Sequence, residues 1–277
     1  MDIHAQISRL NNENKPYVLA TIVKAEGSVP GKIGFKLLYR PENKITGTVG
    51  GGALEQQIIR DCQARLENNT SGSQEYILSD KLTAGMKSEN SQLIPMMCQG
   101  RVWVYFEVHQ VLPTVYIFGG GHVGQALSYF LAKLKFRIIL VDNRVEFASP
   151  ETNPHAHQHV HDNYIEFSSK FEPPSNSFIV IITHGHQHDY EILKNIYQRQ
   201  LPVKYVGVIA SRSKATQLKK QLFNDLGDKL NLANLFTPIG LELGGSTENE
   251  IALSIAAEIQ AILFNKTVPH LRNNSEQ

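Results

Sequence analysis

Apolar positions recur with a helical period at the start of the chain, where Ile3, Ile7 and Leu10 share a face, and with a period of two soon after. Strands are predicted at 18–25, 35–39, 45–49 and 101–108; in the last, Val102, Val104, Phe106 and Val108 alternate onto one side. One helix, 53–66, interrupts them, carrying Leu54, Ile58, Ile59 and Leu66 on an apolar stripe directly after Gly50, Gly51 and Gly52. The stretch 80–95 shows no period and reads as loop. Near Pro113 the pattern changes. Strands at 115–118, 137–142, 178–183 and 205–209 now alternate with helices at 122–134, 189–197, 213–226 and 247–264, and the last helix opens on a capping box, Thr247 with Glu250. Such alternation predicts a parallel sheet covered by helices on both faces. The polar tail 270–277 reads as frayed. The expected class is α/β: a strand-rich α+β domain over 1–112, then a Rossmann-like parallel-sheet domain over 113–277.

The length of 277 residues accommodates two domains of ordinary size, and 42% hydrophobic residues supply their cores. With 27 Lys+Arg against 26 Asp+Glu, the chain lacks the basic footprint of a nucleic-acid or polybasic membrane binder. The opening MDIHAQISRL has neither the basic nor the apolar region of a secretory signal. No apolar run approaches the roughly 20 residues that span a bilayer. A cytoplasmic protein without nucleic-acid or membrane partners is expected. Its two cysteines, Cys62 and Cys98, can build neither a disulfide framework nor a four-thiolate zinc site. Cys62 falls mid-helix beside Ile58, Ile59 and Leu66 and reads as packing. Cys98 precedes a strong strand at a loop junction with Gly100 and is the thiol of chemical interest.

Gly119, Gly121 and Gly124 form G-x-G-x-x-G between an apolar strand and an amphipathic helix that begins at His122. The first glycine permits the turn, the second would let a pyrophosphate approach the backbone, and the third lets helix and strand pack closely; the same glycines equally suit a strand-to-helix turn that retains no nucleotide. Asp142, at the end of the following strand, is placed to accept from ribose hydroxyls, and Arg144 beside it leaves the choice between NAD and NADP open. Histidines crowd two segments. His155, His157, His159 and His161 suit a solvated loop or edge strand better than a metal site; THGHQHD at 183–189 lacks the ligand order of a metallo-hydrolase, so no metal is assigned. Thr183, His184 and Asp189 instead fall at the carboxyl end of a strand, the rim of a binding crevice in an open α/β sheet.

In the first half, Gly50–Gly52 before a helix reads as an anion cradle. Glu55 lies in the first helical turn, where it answers the helix dipole or orients a ligand, and Lys32 in GSVPGKIG is a candidate for a phosphate.

These motifs together resemble the xanthine dehydrogenase accessory proteins of the XdhC/CoxI type. The pattern GSxPxKxG is met by Gly27–Gly34 and G-GGGxxE by Gly47 with Gly50–Glu55. In the second half GxGHVG is met at 119–124, THxHxxD at 183–189, GxxxSRxK at 207–214 and PIGLxxGxxTxxEIAxSIxAE at 238–258. The family's C-G-G becomes Cys98-Gln99-Gly100. The resemblance implies a chaperone, more than a catalyst, that binds the molybdenum cofactor (molybdopterin), supports its sulfuration by a cysteine desulfurase and delivers it to a xanthine dehydrogenase-type molybdoenzyme. It implies a homodimer, cofactor binding by Lys32, Gly50, Gly51, Gly52, Glu55 and Cys98, and Ser211 and Arg212 on the crevice rim of the second domain. Catalytic residues are not assigned. The rival readings are an NAD(P)-dependent oxidoreductase, for which sequence reading finds no hydride-transfer constellation, and a metal-dependent hydrolase built on His184, His186 and His188.

Overall fold

The computed structural model describes residues 2–80, 91–227 and 230–269. The chain forms two compact units, Met1–Val111 and Leu112–Gln277. The tail 270–277 lies outside the described residues. Among the described residues, no helix is long and apolar enough to cross a membrane.

In the first unit α1 (Ile3–Asn12) leads to β1 (Tyr17–Gly27), β2 (Lys36–Arg40), β3 (Lys44–Gly47), α2 (Gly52–Asn68), β4 (Gly72–Ser79), β5 (Ser91–Pro95) and β6 (Gly100–His109). The strands make one sheet ordered β3-β2-β1-β6-β4-β5, antiparallel except for the β4–β5 pair. Alternation along β6 sends Val102, Val104 and Phe106 inward to meet Val18, Ala20 and Ile22 of β1 and Leu54, Ile58 and Cys62 of α2. A smaller cluster of Leu10, Tyr17 and Leu38 seats α1. Two strands depart from the sequence reading. β4 escapes prediction because its buried residues, Tyr76, Ile77 and Leu78, are consecutive and not alternating. The loop expected over 80–95 is corrected at its end, where 91–95 forms β5; only Ile94 of that edge strand is buried, so no period betrays it. The remainder, 81–90, lies outside the described residues.

The second unit runs β7 (Thr114–Phe118), α3 (His122–Lys133), β8 (Arg137–Asp142), β9 (Gln158–His161), α4 (Tyr164–Lys170), β10 (Phe178–Ile181), α5 (His186–Gln198), β11 (Tyr205–Val208), α6 (Arg212–Leu226), β12 (Leu235–Phe236) and α7 (Glu248–Leu263). Its sheet is parallel throughout, in the order β12-β11-β10-β7-β8-β9. Every residue of β7 is buried. Val115 and Ile117 face α3 and α7, while Tyr116 and Phe118 join Ile179, Ile181, Ile192 and Leu193 on the other face. From β7 the chain winds outward through β8 and β9, then returns to β10 on the other side of β7 and continues through β11 to β12. The order therefore reverses between β7 and β10, and a crevice opens there at the carboxyl ends of the strands. The histidine segment 155–161 ends in the edge strand β9, where Val160 is the one apolar residue; α4 and β12 are too short for their periods to show.

Candidate functional site

Three loops of the first unit meet at one edge. The Ser28 amide donates to the Gln99 carbonyl at 2.9 Å, and a Cβ on Gly31 would stand 2.3 Å from the Val49 carbonyl oxygen, so these backbones approach more closely than any side chain allows. A Cβ on Gly52 would touch the Met96 side chain at 3.4 Å. Segments 27–34, 47–55 and 96–100 are thus neighbours. Cys98 is a free, half-buried thiol whose inner side packs on the core, next to a Met97 that is 94% exposed. Lys32 is exposed. Cys62 is fully buried, and burial, with Asp61 adding to it, pushes its thiol up to about 12.

Gly50–Gly52 differ from the expected open cradle. The Glu55 carboxylate accepts from the Thr48 hydroxyl, the Val49 amide (3.0 Å) and the Gly51 amide (3.3 Å), while the Gly50 amide donates to the Thr48 hydroxyl oxygen (3.1 Å). A carboxylate from the chain itself occupies the anion position. Glu55 is a clamp on the turn.

In the second unit Gly119 has φ of +117° and Gly124 would bring a Cβ within 2.1 Å of the Gly119 carbonyl oxygen, so the strand-to-helix turn is built for close packing. Gly121 is the N-cap of α3 and no side chain caps the helix. Asp142 is fully buried. Its Oδ1 accepts from the Arg144 amide (3.0 Å) and Nε (2.9 Å); its Oδ2 accepts from the Gly120 amide (2.7 Å) and Arg144 Nη2 (2.9 Å). Burial alone would raise this carboxyl; the bonds from Arg144 and Gly120 outweigh it and hold the group below its ordinary value. The carboxylate expected to read ribose hydroxyls is therefore saturated by the protein. Beside it lies the Tyr164 ring, in contact with His184 and His188 at centroid distances of 6.2 and 5.6 Å.

The remaining motif residues divide between structure and surface. Asp189 is buried and accepts from the Thr183 hydroxyl (2.6 Å) and amide (3.3 Å), closing the THGHQHD turn on itself. His184 stays exposed at the rim. Ser211 caps α6 by accepting from the Lys214 amide, and the exposed Arg212 pairs with Glu242 at 3.3 Å. A cavity of about 410 Å³ between α5 and α6 is lined by Asp189, Tyr190, Ile209, Lys214 and Leu218 among others. Glu258, buried in α7, accepts from the Gly240 amide at 2.9 Å and ties down the loop of the last motif.

Sequence reading overlooked a Tyr-x-x-x-Lys spacing at Tyr190 and Lys194. Both donate to Asp225, at 2.6 and 2.8 Å, stapling α5 to α6. Burial and the Asp225 carboxylate raise the Tyr190 phenol, opposite to what a proton-transferring tyrosine needs. The edge-strand histidines also have structural partners: His157 Nδ1 accepts from the Ile138 amide, and His159 Nε2 lies 2.8 Å from the Asn153 carbonyl. Among the described residues, no group of three or more His, Cys, Asp or Glu could hold a metal ion.

Comparison with known proteins decides the family. A model described as the XdhC Rossmann domain matches residues 115–259, and one described as the XdhC and CoxI family matches residues 10–77. The chain belongs to the XdhC family. This XdhC-family chain is 28% identical to the uncharacterized protein YqeB of Escherichia coli (strain K12) over 267 residues, covering 96% of the chain and 47% of YqeB. The chain thus spans about half the length of YqeB. It is 22% identical to a Bacillus subtilis (strain 168) protein named as a probable xanthine dehydrogenase subunit, covering 93% of this chain and 96% of that one. A crystal structure described as a xanthine dehydrogenase from Bacillus halodurans shares the fold, with a TM-score of 0.51 at 20% identity over 96% of this chain and 97% of that one.

Proposed function

We propose that this XdhC-family chain is a maturation factor that binds the molybdenum cofactor, supports its sulfuration by a cysteine desulfurase and delivers it to a xanthine dehydrogenase-type molybdenum hydroxylase, acting in the cytoplasm as a homodimer. The observation that carries the reading is family membership in both units, joined by the near full-length similarity to a protein named for xanthine dehydrogenase. The residues of the first unit suit the metal end of such a ligand, because a free, half-buried thiol on a glycine-rich edge is a soft donor that the surrounding loops can shield. The turn at Gly50–Gly52 does not suit the phosphate end, since its Gly50 and Gly51 amides are already bonded. Lys32 is the exposed cation that remains for it. When bound, the cofactor supplies molybdenum chemistry to the client enzyme; Cys98 has only to hold it, and the loops to keep water away.

The oxidoreductase reading is weaker on chemical grounds. Hydride transfer needs a proton donor or acceptor beside the substrate, and the Tyr190–Lys194 pair is committed to Asp225. The test is Cys98→Ala, with Cys62→Ala as the packing control. Cys98→Ala should abolish molybdenum retention and client activation while leaving the fold intact. Full loading and activation by Cys98→Ala would remove the assignment.

A further inference from the structure

The crevice of the second unit carries more than the maturation reading uses. A ribose diol is normally held in such a fold by donating both hydroxyls to the acidic residue at the end of the second strand. Here all four acceptor positions of the Asp142 carboxylate are filled, three of them by Arg144 and one by Gly120. A diol could bind only by displacing a fork of charge-assisted bonds and leaving a guanidinium without its counter-ion.

The same geometry presents a different recognition surface. Arg144 directs Nε and one Nη2 hydrogen to Asp142, so the outer edge of the guanidinium, including Nη1, is left over in a side chain about 31% exposed. Phe147 fixes its plane, with the guanidinium carbon 3.9 Å from the ring centroid. The guanidinium lies beside the glycine turn, where a Cβ on Gly121 would stand 4.0 Å from Arg144 Nη2. Buried polar atoms around the crevice point to a ligand independently of the helix start. The Tyr164 hydroxyl, on a residue only 1% exposed, lies beside Asp142, Asn143 and Arg144 yet completes no hydrogen bond of normal geometry. Asn143 Oδ1 and His188 Nδ1 are likewise buried without a partner.

We infer that this crevice binds a dinucleotide carrying a phosphate monoester on its ribose, the NADP(H) class, and that Arg144 is the residue that selects it over the unphosphorylated form. The pyrophosphate lies at the start of α3 and the monoester on the outer edge of Arg144, whose charge Asp142 orients from the buried side. Repulsion from Asp142 is muted because its carboxylate is enclosed and already bonded. This is a binding assignment without a hydride step, and it does not depend on the molybdenum reading.

The test is calorimetric titration of the full-length protein, without molybdenum cofactor, with NADP⁺, NAD⁺ and 2′,5′-ADP. NADP⁺ should bind about ten-fold or more tighter than NAD⁺, as expected when one charge-assisted contact distinguishes two ligands, and 2′,5′-ADP should compete with it. Arg144→Ala should lose that preference and gain affinity for NAD⁺ as Asp142 becomes free; Arg144→Lys, which keeps the charge without the fork, should retain part of it. Equal or tighter binding of NAD⁺ by the unaltered protein would overturn the inference whether or not the variants fold. Failure of NADP⁺ and 2′,5′-ADP to bind at millimolar concentration would overturn it equally, with no bearing on Cys98.

Discussion

Glu55→Ala removes the side chain that accepts from both the Val49 and Gly51 amides in the first unit's glycine turn. Val49 is fully buried, so its amide would be left without an acceptor away from water. An orphaned buried donor costs about 1–3 kcal/mol, and losing the charge-assisted bonds from Thr48 and Gly51 brings the total to roughly 2–4 kcal/mol. Trp103 in β6 is the single tryptophan of the chain, so urea unfolding followed by its fluorescence reports on this unit alone. At an m-value of about 2 kcal/mol per molar, the midpoint should fall by roughly 1–2 M. Glu55→Gln keeps an acceptor oxygen and should lose about half as much. A Glu55→Ala midpoint within about 0.2 M of the unaltered protein would refute the clamp and return the turn to the role of an open anion cradle.

Gly124→Ala would push a methyl group to 2.1 Å from the Gly119 carbonyl oxygen, forcing α3 away from β7 at a cost of about 1–3 kcal/mol; amide hydrogen exchange in β7 should quicken accordingly, and unchanged exchange would contradict the packing argument. The two thiols should separate under Ellman's reagent, with Cys98 reacting in the native protein and Cys62 only after unfolding, because burial pushes the Cys62 thiol up to about 12; rapid native labelling of Cys62 would count against its place in the core. Burial, outweighing the bonds from Gly240 and Tyr205, holds the Glu258 carboxyl above its ordinary value of 4.5, so the folded chain binds that proton more tightly than the unfolded one. Its contribution is full below 4.5 and lost as pH rises through the raised folded value; Glu258→Gln should be at least as stable as the unaltered protein at pH 8 and lack this decline, and a steeper decline in the variant would reverse the sign.

Most of the fold was legible because its elements obey strong periods. The alternation of β6 and the apolar runs of β7, β8 and β10 declare strands, and Gly119–Gly124 declares the turn between β7 and α3. β12 has only two residues and α4 seven, β9 carries one apolar residue, Val160, among polar ones, and β4 hides its burial in three consecutive residues, so none of them left such a signal. The site residues were harder to read for a different reason. Sequence position identifies Glu55 and Asp142 as acids at helix and strand ends, but whether a carboxylate is available depends on what reaches it in three dimensions. Glu55 turns back on its own loop, and Arg144, two residues from Asp142, folds over to fill it. Spacing alone likewise hid the meaning of Tyr190 and Lys194, whose partner Asp225 is more than thirty residues away.

The proposed role is tested most directly by purifying the protein anaerobically from cells that make the molybdenum cofactor and measuring bound molybdenum together with the fluorescent oxidised pterin. Both should be present in matching amounts, and both should be lost from a Cys98→Ala preparation made in parallel. A preparation of the unaltered protein that contains neither, from cells whose molybdoenzymes are fully loaded, would contradict it.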